Sequence, residues 1–207
     1  MANLREAQKQ MTRRLLLDAG LDLFIAQGYG ATTIDDIAKA AGTTRVTFYA
    51  YFPSRSELMK ALIDERLNET LKRVGSPAHG STAQDLVTTV TDGSYRAIRE
   101  WVEGRADNWH LIHPLIRIGR EAAVIDPELG NLVERWMEEA IGDIEDGLTQ
   151  AGRLEPHQRH FRGVLAMAQL DFVAQNWASA GVEEWKIDRT GMLDELAASW
   201  TKLLSQP

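Results

Sequence analysis

Apolar residues recur along this chain at intervals of three and four, and no stretch of useful length alternates apolar and polar positions. That periodicity predicts helices and no strands. Leu16, Ala19, Leu23 and Phe24 mark one buried stripe, which Gly28 should end. Thr33 then stands as an N-cap with Asp36 three residues later, a carboxylate variant of the capping box. Ile34, Ile37, Ala38 and Ala41 give the next apolar face. Gly42 follows, where a chain leaving a helix often needs positive φ. Thr43 or Thr44 caps a further helix. In it Phe48 and Phe52 lie one turn apart with Tyr51 beside them, so these should face the core. Arg45 and Tyr49, also four apart, fall on another face. Ser54, with Glu57 at N3, opens a fourth helix after Pro53 that should run to about Val74.

Beyond a turn or short linker at Gly75–Gly80 the helical period continues to the end. One helix is expected from Ser81 or Thr82 to about Glu103. The next starts near Asp107 and should kink or break at Pro114. Asp126, with Pro127 at N1 and Glu128 at the positive end, opens another that lasts to about Ala151. Pro156 starts one that should stop at Gly181, and the last spans Arg189 to Leu204.

Residues 33–52 therefore read as two short helices across a tight turn, with one side of the second packed and the other open. A helix-turn-helix places its second helix in the DNA major groove, with N-terminal residues at the base edges. A bidentate donor such as Arg suits guanine, and small hydroxyl residues suit phosphates or bases. This stretch supplies both.

The composition fits that reading once the chain is divided. With 207 residues, 44% hydrophobic and 26% charged, it can bury a core and stay in solution. It has no apolar run long enough for a membrane span. The absence of Cys excludes disulfides and thiolate metal sites. The polar start MANLREAQKQ reads as no signal peptide, so a cytoplasmic protein without a membrane partner is expected. The net charge of −7 looks wrong for a DNA binder. Residues 1–60, however, carry eight basic against six acidic residues, net +2, and the remainder fifteen against twenty-four, net −9. A DNA-binding head on an acidic body would show that asymmetry.

The ordered combination of GYGATTIDDIAKAAG, TFYAYF and the PSRSEL restart resembles the tetracycline-repressor (TetR) family of bacterial regulators, over about Gln10 to Thr70. The resemblance implies an all-α fold. Residues 10–70 would form a three-helix DNA-binding domain, and residues 75–207 a larger ligand-binding and dimerisation domain. It implies double-stranded operator DNA, a small-molecule effector and a second copy of the chain as partners, and no cofactor. Thr33, Thr44, Arg45, Val46, Thr47 and Tyr49 are the expected DNA-facing residues, Val46 against a thymine methyl. Arg55 occupies the family position that usually holds a phosphate-contacting Lys. Arg13 and Arg14 are either phosphate contacts or solvated charges. Two departures are visible: Val46 replaces a frequent Gly, Ala or Pro, and Ala50 replaces a polar or aromatic residue that reaches phosphate.

All six Trp follow residue 100, and Trp101, Trp109, Trp136 and Trp177 fall on four consecutive expected helices. Ligand pockets are mostly apolar and aromatic with a few polar groups. Tyr95, His113, Met137, Met167, Phe172 and Asn176 are the further candidates. Each of these residues could equally be ordinary core; that some line a cavity is what the resemblance implies. The last two helices are apolar on more than one face, which demands several neighbours. Gly163, Met167, Leu170, Val173, Ala174 and Trp177 share one face of the first, while Leu165, Ala168 and Phe172 point elsewhere. Family members use this pair of helices for a four-helix dimer interface. Leu170, Val173, Leu193, Leu196, Trp200 and Leu203 are the expected contacts, with a monomeric core as the alternative.

Other motifs carry less. His110-x-x-His113 and His157-x-x-His160 have helical metal-ligand spacing, but no acidic partner completes either at a familiar spacing, so no metal is expected. GYG at Gly28–Gly30 lacks the third Gly and preceding strand of a phosphate loop. The acidic run from Glu138 to Asp146 reads as a solvated face. Rival functions are a helical enzyme for an apolar substrate and a helical interaction protein; the TFYAYF head argues against both. No catalytic constellation can be asserted. The expected function is a repressor that leaves its operator when a small apolar molecule binds, with the fourth helix as lever.

Overall fold

The computed structural model describes residues 2–67 and 82–205. The expected end of the fourth helix near Val74, its role as lever, the Gly75–Gly80 linker and the Ser81 cap lie outside the described residues. Among those described there are helices and connecting turns and no strand. In chain order they are α1 (Ala2–Gln27), α2 (Ile34–Ala40), α3 (Arg45–Tyr51) and α4 (Arg55–Ala61), the last continuing as a π-helical stretch over Leu62–Leu67. Then come α5 (Thr82–Asp92), α6 (Tyr95–Ala106), α7 (Trp109–Ile125), α8 (Pro127–Gln150), α9 (Pro156–Trp185) and α10 (Arg189–Leu203).

The chain forms two compact units, one of Met1–Glu69 with Pro114–Glu134, the other of Thr70–His113 with Arg135–Pro207. In the first, α1 packs on α2 and α4, and α2 on α3. Leu16, Phe24, Ile37, Phe48, Leu58 and Leu62 are fully buried there. Lys60 on α4 meets Glu128 at 2.7 Å and Glu57 at 3.0 Å, and Glu128 before Glu57 holds the ammonium in its charged form.

In the second unit α6 packs on α5 and α10, and α9 packs on α10. Ile98, Val102, Ile144, Leu193 and Trp200 are fully buried within one cluster, and Trp101 stacks on Trp200 at 5.5 Å. The single helix expected over Ser81–Glu103 is two helices. Gly93 stands between them with φ +66°, and Ser94 caps α6 by accepting from the Ala97 N–H at 3.2 Å. The Arg153 guanidinium closes the end of α5, donating to the carbonyls of Val90, Thr91 and Asp92 at 2.7, 3.0 and 2.8 Å. A cation there meets the negative end of the helix dipole and its unpaired carbonyls.

Two other expectations differ in detail. Pro114 neither breaks nor ends α7, which runs through it from Trp109 to Ile125 and sustains the loss of one ladder hydrogen bond there. Gly181 does not stop α9, which runs on to Trp185 and ends at Lys186 with φ +54°. A helical glycine costs about 1 kcal/mol against alanine, which a 30-residue helix sustains.

Candidate nucleic-acid interface

The turn between α2 and α3 is built by local chemistry. Thr33 and Asp36 close a capping box: the Asp36 N–H donates to Thr33 Oγ1 at 3.2 Å and the Thr33 N–H to Asp36 Oδ2 at 3.0 Å. Hydrogen bonds from Thr33, side chain first and then backbone, hold the Asp36 carboxyl below the usual range. At the far end of α2, the Thr43 N–H donates to the Ala38 carbonyl and the Gly42 N–H to that of Lys39, a Schellman closure with Gly42 at φ +67°. Thr44, rather than Thr43, caps α3, accepting from the Thr47 N–H at 3.2 Å. Phe48 and Phe52 are buried with ring centroids 5.9 Å apart, and Tyr51 is half-buried beside them.

The opposite side of α3 is open. Val46 is 81% exposed, and Arg45, Tyr49 and Ala50 share the solvent face. Arg45 donates to Asp35 of α2 at 3.0 Å and to the Tyr49 hydroxyl at 3.4 Å. Tyr49 first, then Asp35, favours its charged form. Thr44 and Thr47 share a hydrogen bond between hydroxyls at 3.0 Å. Thr33, Thr44, Arg45, Val46, Thr47 and Tyr49 therefore lie together on or beside this motif, with a guanidinium, hydroxyls and a phenol available to a duplex.

Arg55 is placed differently from the rest. Its guanidinium donates to the Thr32 and Gly30 carbonyls and lies 4.1 Å over the Tyr29 ring. Through Nη1 it ties α4 to the loop between α1 and α2. Of the two arginines left open on α1, Arg13 forms a paired contact with Glu65 at 2.5 and 2.6 Å and covers Phe52, while Arg14 is exposed, 3.9 Å from Asp18.

In the second unit the sequence candidates separate. Trp109 and Met167 are buried in the core cluster, and Trp101, Met137 and Trp177 pack against it. Tyr95 is 44% and Phe172 64% exposed. Trp136 and His113 are half-buried, and the Asn176 amide donates to the Phe172 carbonyl on its own helix. Leu170, Leu193, Leu196 and Trp200 are buried in this chain's own core, where α10 lies against α6 and α9; Val173 and Leu203 are half-buried at its edge. The exposed apolar stripe of α9 is instead Phe161, Leu165, Ala168 and Phe172.

The sequence reading passed over Arg105 and Asp85. Arg105 falls on the stripe Ile98, Val102, Arg105, Trp109, and is 8% exposed; Asp85 is 5% exposed. Their charged atoms are 3.9 Å apart. A charge on an apolar stripe at helical spacing was the available signal.

Fold and head together define an all-α protein with an N-terminal helix-turn-helix. Residues 16–62 match the family of bacterial regulatory proteins described as the tetR family. The chain resembles that family, and its N-terminal domain is the family's helix-turn-helix. Over 66 residues it is 38% identical to the transcriptional regulator SrpR of Pseudomonas putida, covering 32% of this chain and 31% of that one. Over 87 residues it is 37% identical to the transcriptional regulator TtgR, also of Pseudomonas putida, covering 42% and 40%. The chain spans about a third to a half of the length of the curated relatives it matches. Two solved structures share the fold. A TetR-like regulator from a Rhodococcus species superposes with TM-score 0.63 at 20% identity, over 93% of each chain. The regulator FadR from Bacillus subtilis, in complex with stearoyl-CoA, gives 0.62 at 16% identity, over 92% and 96%.

Proposed function

We propose that the protein is a cytoplasmic, homodimeric transcriptional regulator that represses by holding operator DNA and releases it when a small, largely apolar effector binds the second unit. The carrying observation is the α2–α3 motif: capped at both helix starts, closed by a Schellman turn, and open on the side that bears Arg45, Val46 and Tyr49. The family match over residues 16–62 and the likeness to a transcriptional regulator over 66 residues support the same reading. In it, Arg45 reads a base edge, Val46 meets a thymine methyl, and Thr33, Thr44, Thr47 and Tyr49 hold phosphate or base. Arg55 acts by fixing the loop ahead of α2.

A two-fold dimer would set two α3 helices about one DNA turn, or a multiple of it, apart. The α9 stripe of Phe161, Leu165, Ala168 and Phe172 supports this assembly, with Val173 and Leu203 at its margin. The effector site in this reading is built from Trp101, Trp109, Met137, Met167 and Trp177, which share one cluster. An effector shifts the equilibrium only as far as it prefers the DNA-incompetent form, and operator must weaken effector binding by the same factor.

The test is duplex binding by fluorescence anisotropy, using DNA upstream of the chain's own gene against random duplex. Arg45→Ala should weaken the specific complex by about 5- to 100-fold, the range of one bidentate base contact, and the random complex much less. Equal losses on both duplexes would remove Arg45 from base readout. Indifference of the unsubstituted protein to the two duplexes would remove the regulator reading.

A further inference from the structure

Three side chains that pack together in the second unit each bear a buried N–H without an acceptor among the described residues. The nitrogens are Nη1 of Arg105, Nε1 of Trp101 and Nε1 of Trp200. Trp101 stacks on Trp200 at 5.5 Å, and the Arg105 guanidinium carbon lies 4.9 Å over the Trp101 ring. Trp200 is fully buried and Arg105 is more than nine-tenths buried. Buried polar groups are almost always satisfied, and an unsatisfied one is costly, most of all when it is charged. The buried, charged Arg105 arm is the most expensive of the three for a structural core.

The charge is as incomplete as the hydrogen bonding. Asp85 is the acidic partner of Arg105, but its nearest oxygen is 3.9 Å from Nη2, beyond hydrogen-bond length. Burial, the larger influence, pulls the Arg105 pKa down, and Asp85 only partly restores it. One arm of the guanidinium thus faces Asp85 loosely, and the other meets no acceptor among the described residues. Arg105 shares its helical stripe with Ile98, Val102 and Trp109, all buried in the core cluster. A guanidinium presents a planar fork that matches a carboxylate, and indole N–H groups can only donate.

We propose that the effector is an organic carboxylate, an apolar body carrying one acidic head group that pairs with the Nη1 arm of Arg105. This rests on the reading of the second unit as an effector domain, and narrows its effector from apolar molecules at large to amphipathic acids. A neutral apolar molecule would leave the guanidinium arm as it stands.

The experiment uses the full chain and matched probes: decanoate and 1-naphthoate, each against its uncharged amide. Binding is followed by Trp fluorescence and by the shift in thermal midpoint. The carboxylates should bind about tenfold or more tighter than their amides, the scale of one charge-assisted hydrogen bond in a buried site. Arg105→Met should erase that ratio, and Arg105→Lys, which keeps the charge without the fork, should retain part of it. The carboxylates should also weaken operator binding in the unsubstituted protein. Equal binding of acid and amide to the unsubstituted protein, which needs no variant to fold, would overturn the proposal. So would an Arg105→Met chain that keeps the preference. Amides that bind and release operator while acids do not would overturn the acid head group but leave the effector domain standing. Silence from both classes, with operator binding intact, would overturn both.

Discussion

Replacing Gly93 by Ala should destabilise the second unit by more than a glycine substitution in a turn usually does, and the structure says how much more. Gly93 has φ +66°, a left-handed conformation that costs an L-residue about 1–2 kcal/mol. A Cβ built there would also come within 1.9 Å of Arg153 Nη1. The guanidinium can swing away, but only by leaving the carbonyls of Val90, Thr91 and Asp92. Hydrogen bonds from a charged donor are worth about 1.5–3 kcal/mol each when well placed, and this set, partly open to solvent, is worth about 2 kcal/mol as a unit. Gly93→Ala should therefore cost about 3–4 kcal/mol and Arg153→Ala about 2 kcal/mol. The double variant should cost no more than Gly93→Ala alone, since both changes break the same three hydrogen bonds. Urea unfolding followed by circular dichroism, compared at constant slope, measures all three variants. Additive losses, with the double variant near ~5–6 kcal/mol, would show that the backbone strain and the guanidinium cap are independent, and refute the reasoning.

Other outcomes follow from single contacts. Arg55→Lys should weaken the head almost as much as Arg55→Ala, by about 1–2 kcal/mol in chemical unfolding, because an ammonium lacks the planar guanidinium that lies over Tyr29 while its Nη1 reaches the Thr32 and Gly30 carbonyls. Asp143, half-buried, has its carboxyl pushed up to about 6 by burial, with Asp146 and Glu139 adding to it. Its folded pKa lies above its unfolded one. The carboxyl's contribution to stability is thus complete below about pH 4 and lost as pH rises through about 6. Asp143→Asn should leave stability unchanged at about pH 4 and raise it by about 1 kcal/mol at about pH 8, the linkage value reduced for solvent screening. Equal effects at the two pH values would show that Asp143 titrates normally. Phe161→Glu with Phe172→Glu should leave a folded monomer in sedimentation velocity, whereas Leu193→Glu should unfold the chain, since Leu193 is fully buried in its own core.

The head was legible because its instructions are local. Thr33 with Asp36, Gly42, Thr44 and Ser54 with Glu57 lie within four residues of the groups they cap, so sequence spacing alone states the contact. The period of Ile37, Phe48 and Phe52 then fixed which side of the motif is buried and left Arg45, Val46 and Tyr49 outside. The all-helical class followed from the same period. What needed the tertiary structure was every choice among faces that are apolar all round, and every contact between residues far apart in sequence. Periodicity could not say that α10 spends Leu193, Leu196 and Trp200 on the chain's own core and leaves the outer stripe of α9 open. Nor could it see what closes the end of α5, because that group, Arg153, comes some sixty residues later. Nor could it show that Arg55, expected at phosphate, also ties its Nη1 to the Gly30 and Thr32 carbonyls of a distant loop. Arg105 stood in plain view on the stripe of α6, but a position on a helix does not report what faces it across a core. Local hydrogen bonds are written in the order of residues; burial and pairing depend on which surfaces meet, and that is decided only when the whole chain has packed.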